Sequence, residues 1–378
     1  MIRCSVCGGL NDPNNAVCEH CGSDLIAETE SMDLFHENSF KHLDYLIHSG
    51  QKEIVLDSDI VFSDDQRTIF ENGIKLDVDN LVIDGNGHTV DACGKTRFFY
   101  CTGKNITIKN ITLKNGSARH GGAIHIKEGE LNIEKSLLNE NNSWDDGGAI
   151  HNNHGRLIIT QSEINNNNSR FGGAIYNEEG EIIINKSKLN NNNARSSGGV
   201  IYTRSGDYFR LFSKNEGEIT INESELNNNV AEDWGGAIYQ NGGKITIKKS
   251  TLVENSAKEY DGGALSIHDK GKLTIIESIL KENTAQGKYS AGGAIDMRMS
   301  EYEHNRYLTI VESKLTKNIS VKGGAIYIDS GKVNITDSTL SENTAAAGGA
   351  IYNHDCERLH IENCKLENNK PDIIYKSK

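Results

Sequence analysis

The sequence predicts an all-β fold, a right-handed parallel β-helix of about eleven coils, and three observations predict it. The composition joins more than forty Ile and more than forty Asn to 38 Gly, with only 2 Pro and 6% aromatics. Ile favours strands while Asn and Gly favour turns, so the chain reads as many short strands joined by tight turns. The second observation is a recurring motif, I-x-I-x-x-S-x-L-x-x-N. One copy runs Leu131, Ile133, Ser136, Leu138, Asn141, and the next runs Leu157, Ile159, Ser162, Ile164, Asn167. The third is its period. Copies begin at 81, 106, 131, 157, 182, 219, 245, 273, 308, 333 and 359, and Gly-Gly-Ala-Ile or a close variant lies between them from Gly121 to Gly348. A repeat of this length is one supersecondary unit that must stack on its neighbours to bury its apolar face.

The first element lies in residues 1–25, where Cys4-x-x-Cys7 and Cys18-x-x-Cys21 form two knuckles. Two knuckles at this separation place four thiolates tetrahedrally around one zinc, and Gly8 and Gly22 follow each second Cys where the chain turns beneath the metal. The segment is too poor in apolar residues to fold alone, so zinc would supply its folding energy. Two disulfides are the rival reading. C-S-V-C-G-G-L-N-D-P-N-N-A-V-C-E-H-C-G resembles the short N-terminal zinc ribbons of many archaeal and bacterial proteins, and one Arg without a Lys up to Cys21 favours a structural or protein-docking role. Next, residues 26–50 form a linker and a helix. Phe40, Leu43, Leu46 and Ile47 recur at helical spacing and predict an amphipathic cap over the first coil, with a partner-binding helix as the alternative.

Residues 51–378 are the repeat domain, predicted with three strands per coil: G-A-I-x, I-x-I and S-x-L. Residues two apart in a strand face the same way, so both Ile of I-x-I point inward. Ser136 places a small residue at a corner and Leu138 fills the core, while the Asn at the next corner pairs with its equivalent ~4.8 Å away in a ladder. Gly-Gly supplies a turn of positive φ. Cys364 stands where most coils carry Ser and reads as a small buried filler. A leucine-rich repeat is excluded by Ser in place of Leu and by Gly-Gly where a convex segment belongs. The C-terminal edge, with Asn369, Lys370 and Pro371, is either blunted by Pro and Lys or covered by another subunit.

The pairing of L-x-x-N with G-G-A-[IL] resembles the chlamydial polymorphic outer-membrane-protein repeat. Asn80-Leu-Val-Ile-Asp-Gly-Asn-Gly-His-Thr-Val90 and Asn105-Ile-Thr-Ile-Lys-Asn-Ile-Thr-Leu113 resemble the right-handed β-helix and adhesin-like proteins of methanogenic archaea. The resemblance covers about residues 50–369. It implies a pectate-lyase-like solenoid, and for function it implies an adhesin-like surface protein.

The residues themselves point first to a non-catalytic scaffold that binds protein or carbohydrate through its outer face. After each G-A-I comes an outward residue: His125, His151, Tyr176, Tyr202, Tyr239, Ser266, Asp296, Tyr327 and Tyr352. Aromatic faces one coil apart either stack on sugars or a partner, or form a ladder that stabilises the sheet surface. Insertions at 203–218, with Arg204, and 297–307, with Arg298, enter the same turn three coils apart, roughly 14 Å. Loops on a rigid scaffold are where function concentrates. The candidate ligand-binding set is therefore Tyr176, Tyr202, Tyr239, Arg204, Arg298, Tyr327 and Tyr352. A carbohydrate-active lyase or hydrolase is the alternative, but the only acidic pair weighed for it, Asp145-Asp146, stands in a variable turn without Gly-His-Gly or Arg-x-Lys beside it, so no catalytic residue is assigned. A net charge of −13 argues against nucleic acid. No apolar stretch of signal or membrane-spanning length is present, which predicts a cytoplasmic location without a membrane span.

Overall fold

The computed structural model describes residues 2–3, 10–11, 17, 19–21, 39–204, 217–269, 271–298 and 306–377. From Glu53 onward the chain is a parallel β-solenoid of about 12 turns, one more than the repeat count predicts. The extra turn is the first, where Glu53–Val55 pairs in parallel with Val82–Asp84. Its apolar residues Ile54, Leu56, Ile60 and Phe62 are buried, but neither L-x-x-N nor Gly-Gly accompanies them.

The I-x-I strands stack in register: Leu131, Leu157, Ile182, Ile219, Ile245, Leu273, Leu308 and Val333 form one column. Ile133, Ile159, Ile184, Ile221, Ile247, Ile275, Ile310 and Ile335 form the next, and every member of both is essentially without solvent contact. The G-A-I strands add Ile124, Ile150, Ile175, Ile201, Ile238, Leu265, Ile295, Ile326 and Ile351. A fourth strand corrects the expectation of three. After most corner Asn residues a short stretch pairs in parallel, in several coils only two residues long, as in Asn168–Ser169, Asn193–Ala194, Val230–Ala231 and Ser256–Ala257. Two residues are too short to show alternation, which hides this strand in the sequence.

Corners are held by side-chain ladders. Asn141, Asn167, Asn192, Asn229, Asn255, Asn283, Asn318 and Asn343 each pass an Nδ2 hydrogen to the Oδ1 of the next, at 2.9–3.2 Å, and Asn369 ends the ladder as acceptor. Ser at the preceding corner does more than save space. Each Ser Oγ accepts the backbone N–H of the Ser one coil earlier, Ser162 from Ser136 and Ser278 from Ser250, both at 3.1 Å. Residues just before these corners adopt φ near +50°, among them Lys135, Gln161, Asn166, Asn191 and Glu254, which accounts for part of the Asn excess. The two glycines differ in purpose. Gly235 takes φ +64°, whereas a Cβ on Gly236 would overlap the carbonyl oxygen of Gly263 in the next coil.

The ends are unlike. Helix α1, Phe40–His48, is capped by Ser39, whose Oγ accepts the His42 N–H at 3.1 Å. It buries Phe40, Leu43 and Ile47, and Phe40 meets Phe62 edge-on at 4.9 Å. At the other end Leu359, Ile361 and Leu366 are only partly buried, and Ile373, Ile374 and Tyr375 are exposed. Cys364 is half-exposed for the same reason, which corrects the buried-filler reading: the last coil has no neighbour on one side. Near the N-terminus Ile2–Arg3 pairs antiparallel with Leu10–Asn11. Among the described residues no helix is long and apolar enough to cross a membrane.

Candidate functional site

Each G-A-I strand alternates, with Ile inward, the row residue outward and the next residue inward again. Across coils the row becomes a stack of rings. Tyr100 to His125 is 5.0 Å, His125 to His151 4.7 Å, His151 to Tyr176 5.0 Å, Tyr176 to Tyr202 5.2 Å and Tyr202 to Tyr239 4.9 Å. Tyr327, Tyr352 and Tyr375 resume it at 5.4 and 4.9 Å. Tyr100 and Tyr375 lie beyond the G-A-I copies and were missed for that reason. Their register with His125 and Tyr352 places them in the row.

The row points away from the coil interior yet is largely covered. Tyr176, Tyr327 and Tyr352 are buried, and Tyr202 and Tyr239 half-buried. Ring faces are occupied by the neighbouring rings, and side chains of the turns before Gly-Gly fold over them: Phe171 lies 5.1 Å from Tyr202, and Trp234 6.3 Å from Tyr239. Burial raises the Tyr176, Tyr202 and Tyr239 hydroxyl pKa values and holds the His125 and His151 rings neutral, His125 pushed down to about 3 and His151 to about 2.

Between the two stacks the row changes chemistry. Ser266 and Asp296 replace the rings and are fully buried. The Ser266 hydroxyl is 3.0 Å from His268 Nε2 and donates to Asp296 Oδ2 at 3.1 Å, and the His268 ring takes the vacant stacking place 4.8 Å from Tyr239. Arg298 reaches Asp261 at 2.7 Å and lies over the Tyr327 ring. Burial raises the Asp296 carboxyl well above its ordinary pKa, and burial raises Asp261 as well. Thus Arg298, half-buried, is engaged by Asp261 and Tyr327, while Arg204, also half-buried, ends the strand Ile201–Arg204 three coils earlier. The remainder of both insertions, 205–216 and 299–305, lies outside the described residues.

The acidic pair Asp145–Asp146 is likewise occupied. Arg119 Nε bonds Asp145 at 2.7 Å, holding that carboxyl below its ordinary pKa, and His120 Nδ1 lies 2.9 Å from Asp146. Around them the turn edge shows what the repeat motif did not: Trp144, Tyr260 and Tyr289 are 63%, 43% and 75% exposed. These aromatics vary from coil to coil, so motif alignment passes over them. Of the predicted zinc ligands, Cys21 is exposed and Cys4, Cys7 and Cys18 lie outside the described residues.

The architecture defines a class: an all-β repeat protein built as a parallel β-solenoid with laddered corners. Residues 337–354 match the Chlamydia polymorphic membrane protein repeat, a span that holds Ser338, Leu340, Asn343 and the Gly348-Gly349-Ala350-Ile351 turn of one coil. No curated protein and no solved structure matches the chain.

Proposed function

We propose that the chain is a non-catalytic, adhesin-like recognition scaffold that binds a protein or carbohydrate partner at the edge formed by the turns before Gly-Gly. The carrying observation is that Trp144, Tyr260 and Tyr289 are exposed on turns whose sequence varies from coil to coil, while the rings of the neighbouring row are already stacked on each other. Everything constant from coil to coil is engaged in the core, the ladders or the Gly-Gly turns. The match to a polymorphic membrane protein repeat supports the adhesin-like reading and, with it, surface display rather than the cytoplasmic location expected from the sequence. Tyr202 and Tyr239, beside Phe171 and Trp234 of these turns, border this edge and contribute ring edges rather than ring faces.

The experiment is a screen of the purified chain against glycan and extracellular-protein arrays, repeated with Trp144→Ala/Tyr260→Ala/Tyr289→Ala. Saturable binding lost in the triple variant is the expected result. Binding that survives the triple variant, or none on either array, sinks the proposal. Protease shaving of intact cells separates surface display from a cytoplasmic location. The zinc ribbon is part of the same proposal, supported by the cysteine spacing and by the antiparallel pair Ile2–Arg3 with Leu10–Asn11, which flanks the segment holding the first knuckle. One zinc per chain, lost in Cys4→Ser/Cys7→Ser, is expected by elemental analysis.

A further inference from the structure

Where the row passes coils three and four, its surroundings differ from those of any ring pair further along. His120 and Asp146 occupy equivalent places in successive turns and are paired across the coils. His151 stands five residues after Asp146, on the strand that the Gly147-Gly148 turn leads into. One ligand atom from each of the three, two imidazole nitrogens and a carboxylate oxygen, lies within 4.8 Å of the others. The His120 and His151 rings meet edge-on at 5.3 Å.

A second, independent observation concerns His151 alone. Its side chain is 6% exposed, and both of its ring nitrogens are buried without a hydrogen-bond partner. A neutral imidazole has one donor and one acceptor, and leaving either buried and unmade is destabilising. Phe at this place would keep the 4.7 Å stack on His125 and the contact with Tyr176 without that cost, as Phe171 does over Tyr202. The imidazole therefore needs a reason that stacking does not supply.

We propose that His120, Asp146 and His151 form a binding site for a divalent first-row transition metal, zinc being the best match, distinct from the four N-terminal cysteines. The donor set is two nitrogens and one oxygen, the borderline-hard combination that zinc accepts with a fourth position open to water. Metal–ligand distances of ~2.0–2.2 Å in a tetrahedral site put donor atoms roughly 3.3–3.5 Å apart. The 2.9 Å His120–Asp146 contact would open slightly and His151 close by about 1 Å, a shift within side-chain torsion. Charge favours a cation: Asp145 and Glu178 both act on the partly buried Asp146, and an ion would relieve their repulsion. The opposing guanidinium Arg119 is paired with Asp145, while Arg97 acts on His151 only as the weakest of its neighbours. Asp146 lies two residues after exposed Trp144, so the site shares the edge on which the proposed recognition surface lies.

The test uses the full chain with Cys4, Cys7, Cys18 and Cys21 replaced by Ser, titrated with cobalt(II) and with zinc. Expected is one bound cobalt with visible d–d bands and no thiolate charge-transfer band. His120→Asn and Asp146→Asn, both at half-buried turn positions, should each weaken binding at least about tenfold. His151→Phe should do the same while the far-ultraviolet spectrum is unchanged, and His154→Asn should leave affinity unaltered. If the serine variant misfolds, the wild-type chain with alkylated cysteines replaces it. No bound metal in the cysteine-free chain, or affinity in His120→Asn and Asp146→Asn unchanged from that of the cysteine-free parent, overturns the proposal.

Discussion

Replacing Asn255 by Ala tests the corner ladder where it is most completely formed. Asn255 Oδ1 accepts the Asn229 backbone N–H at 3.0 Å and its Nδ2 hydrogen at 2.9 Å, while its own Nδ2 donates to Leu226 O at 2.8 Å and Asn283 Oδ1 at 3.0 Å. Ala removes all four bonds. Asn229 Nδ2 still has Leu189 O and Asn283 Oδ1 still has the Asn255 N–H, so the groups left without a partner are the Asn229 N–H and the Leu226 carbonyl. Each buried, unsatisfied group costs about 1–3 kcal/mol, which with the lost bonds gives about 3–6 kcal/mol. The comparison is Asn227→Ala, one coil earlier and two residues before Asn229. Asn227 Oδ1 accepts only the Val253 N–H, at 3.0 Å, from a half-buried position that water can reach, so about 0.5–1.5 kcal/mol is expected. A solenoid opens coil by coil, so a single global unfolding energy is the wrong readout, and local amide exchange is the right one. Exchange at the Asn229 amide should accelerate by about a hundredfold to ten-thousandfold in Asn255→Ala. Equal acceleration by the two variants would refute the claim that the buried ladder, rather than Asn at turns in general, holds the corners.

Three further outcomes follow from the same structure. Gly236→Ala should destabilise its coil by more than about 3 kcal/mol because the methyl meets the Gly263 carbonyl, whereas Gly50→Ala, in open space at φ +88°, should cost only about 1 kcal/mol; amide exchange around residues 236 and 263 distinguishes them. Burial lowers the His268 pKa to about 3 from an unfolded value near 6.5, so the unfolded chain binds more protons between those values and stability falls as pH drops through the window. His268→Phe, which keeps the ring beside Tyr239, should lose about 1.4 kcal/mol less stability per pH unit there, measured by denaturant titration at pH 6, 5 and 4. The exposed last strand should make the chain self-associate, and Ile374→Lys should abolish the concentration-dependent sedimentation, whereas a chain that sediments as a monomer at all concentrations removes that expectation.

What could be read from the sequence was whatever recurs. Period-two Ile, the Asn corner and Gly-Gly each repeat at fixed spacing, and each has one physical explanation, so the solenoid and the Asn ladder were visible from the letters alone. The two-residue fourth strand was not, because Asn168–Ser169 and Val230–Ala231 share no residue type and are too short to alternate. The first coil was hidden by its lack of both motifs, and its wall is completed by Phe62, Phe70 and Phe98 against α1 instead. Parity correctly placed the Tyr row outside the coil, yet it carries no information about what folds over a surface. The cover comes from Phe171, Trp234 and Arg298, residues that sequence reasoning treated as turn variation or as free ligands.

The interruption of the row at Ser266 and Asp296 shows how strongly the stack is favoured. Two coils lose their rings, and a carboxylate with no solvent access enters, which on its own would be costly. The structure answers on both counts. His268, two residues along the same strand, swings its ring into the stacking position beside Tyr239, and Arg298 from the second insertion lies near Asp296, bonds Asp261 and covers the Tyr327 ring where stacking resumes. Stack continuity is thus restored by side chains from neighbouring positions. An Arg298→Ala chain would leave Asp261 and Asp296 facing each other without their cation, and both would be driven further toward the protonated form. The second insertion therefore has a structural task at its first residues, which places the search for a partner on the turns that bear Trp144, Tyr260 and Tyr289 rather than on Arg298.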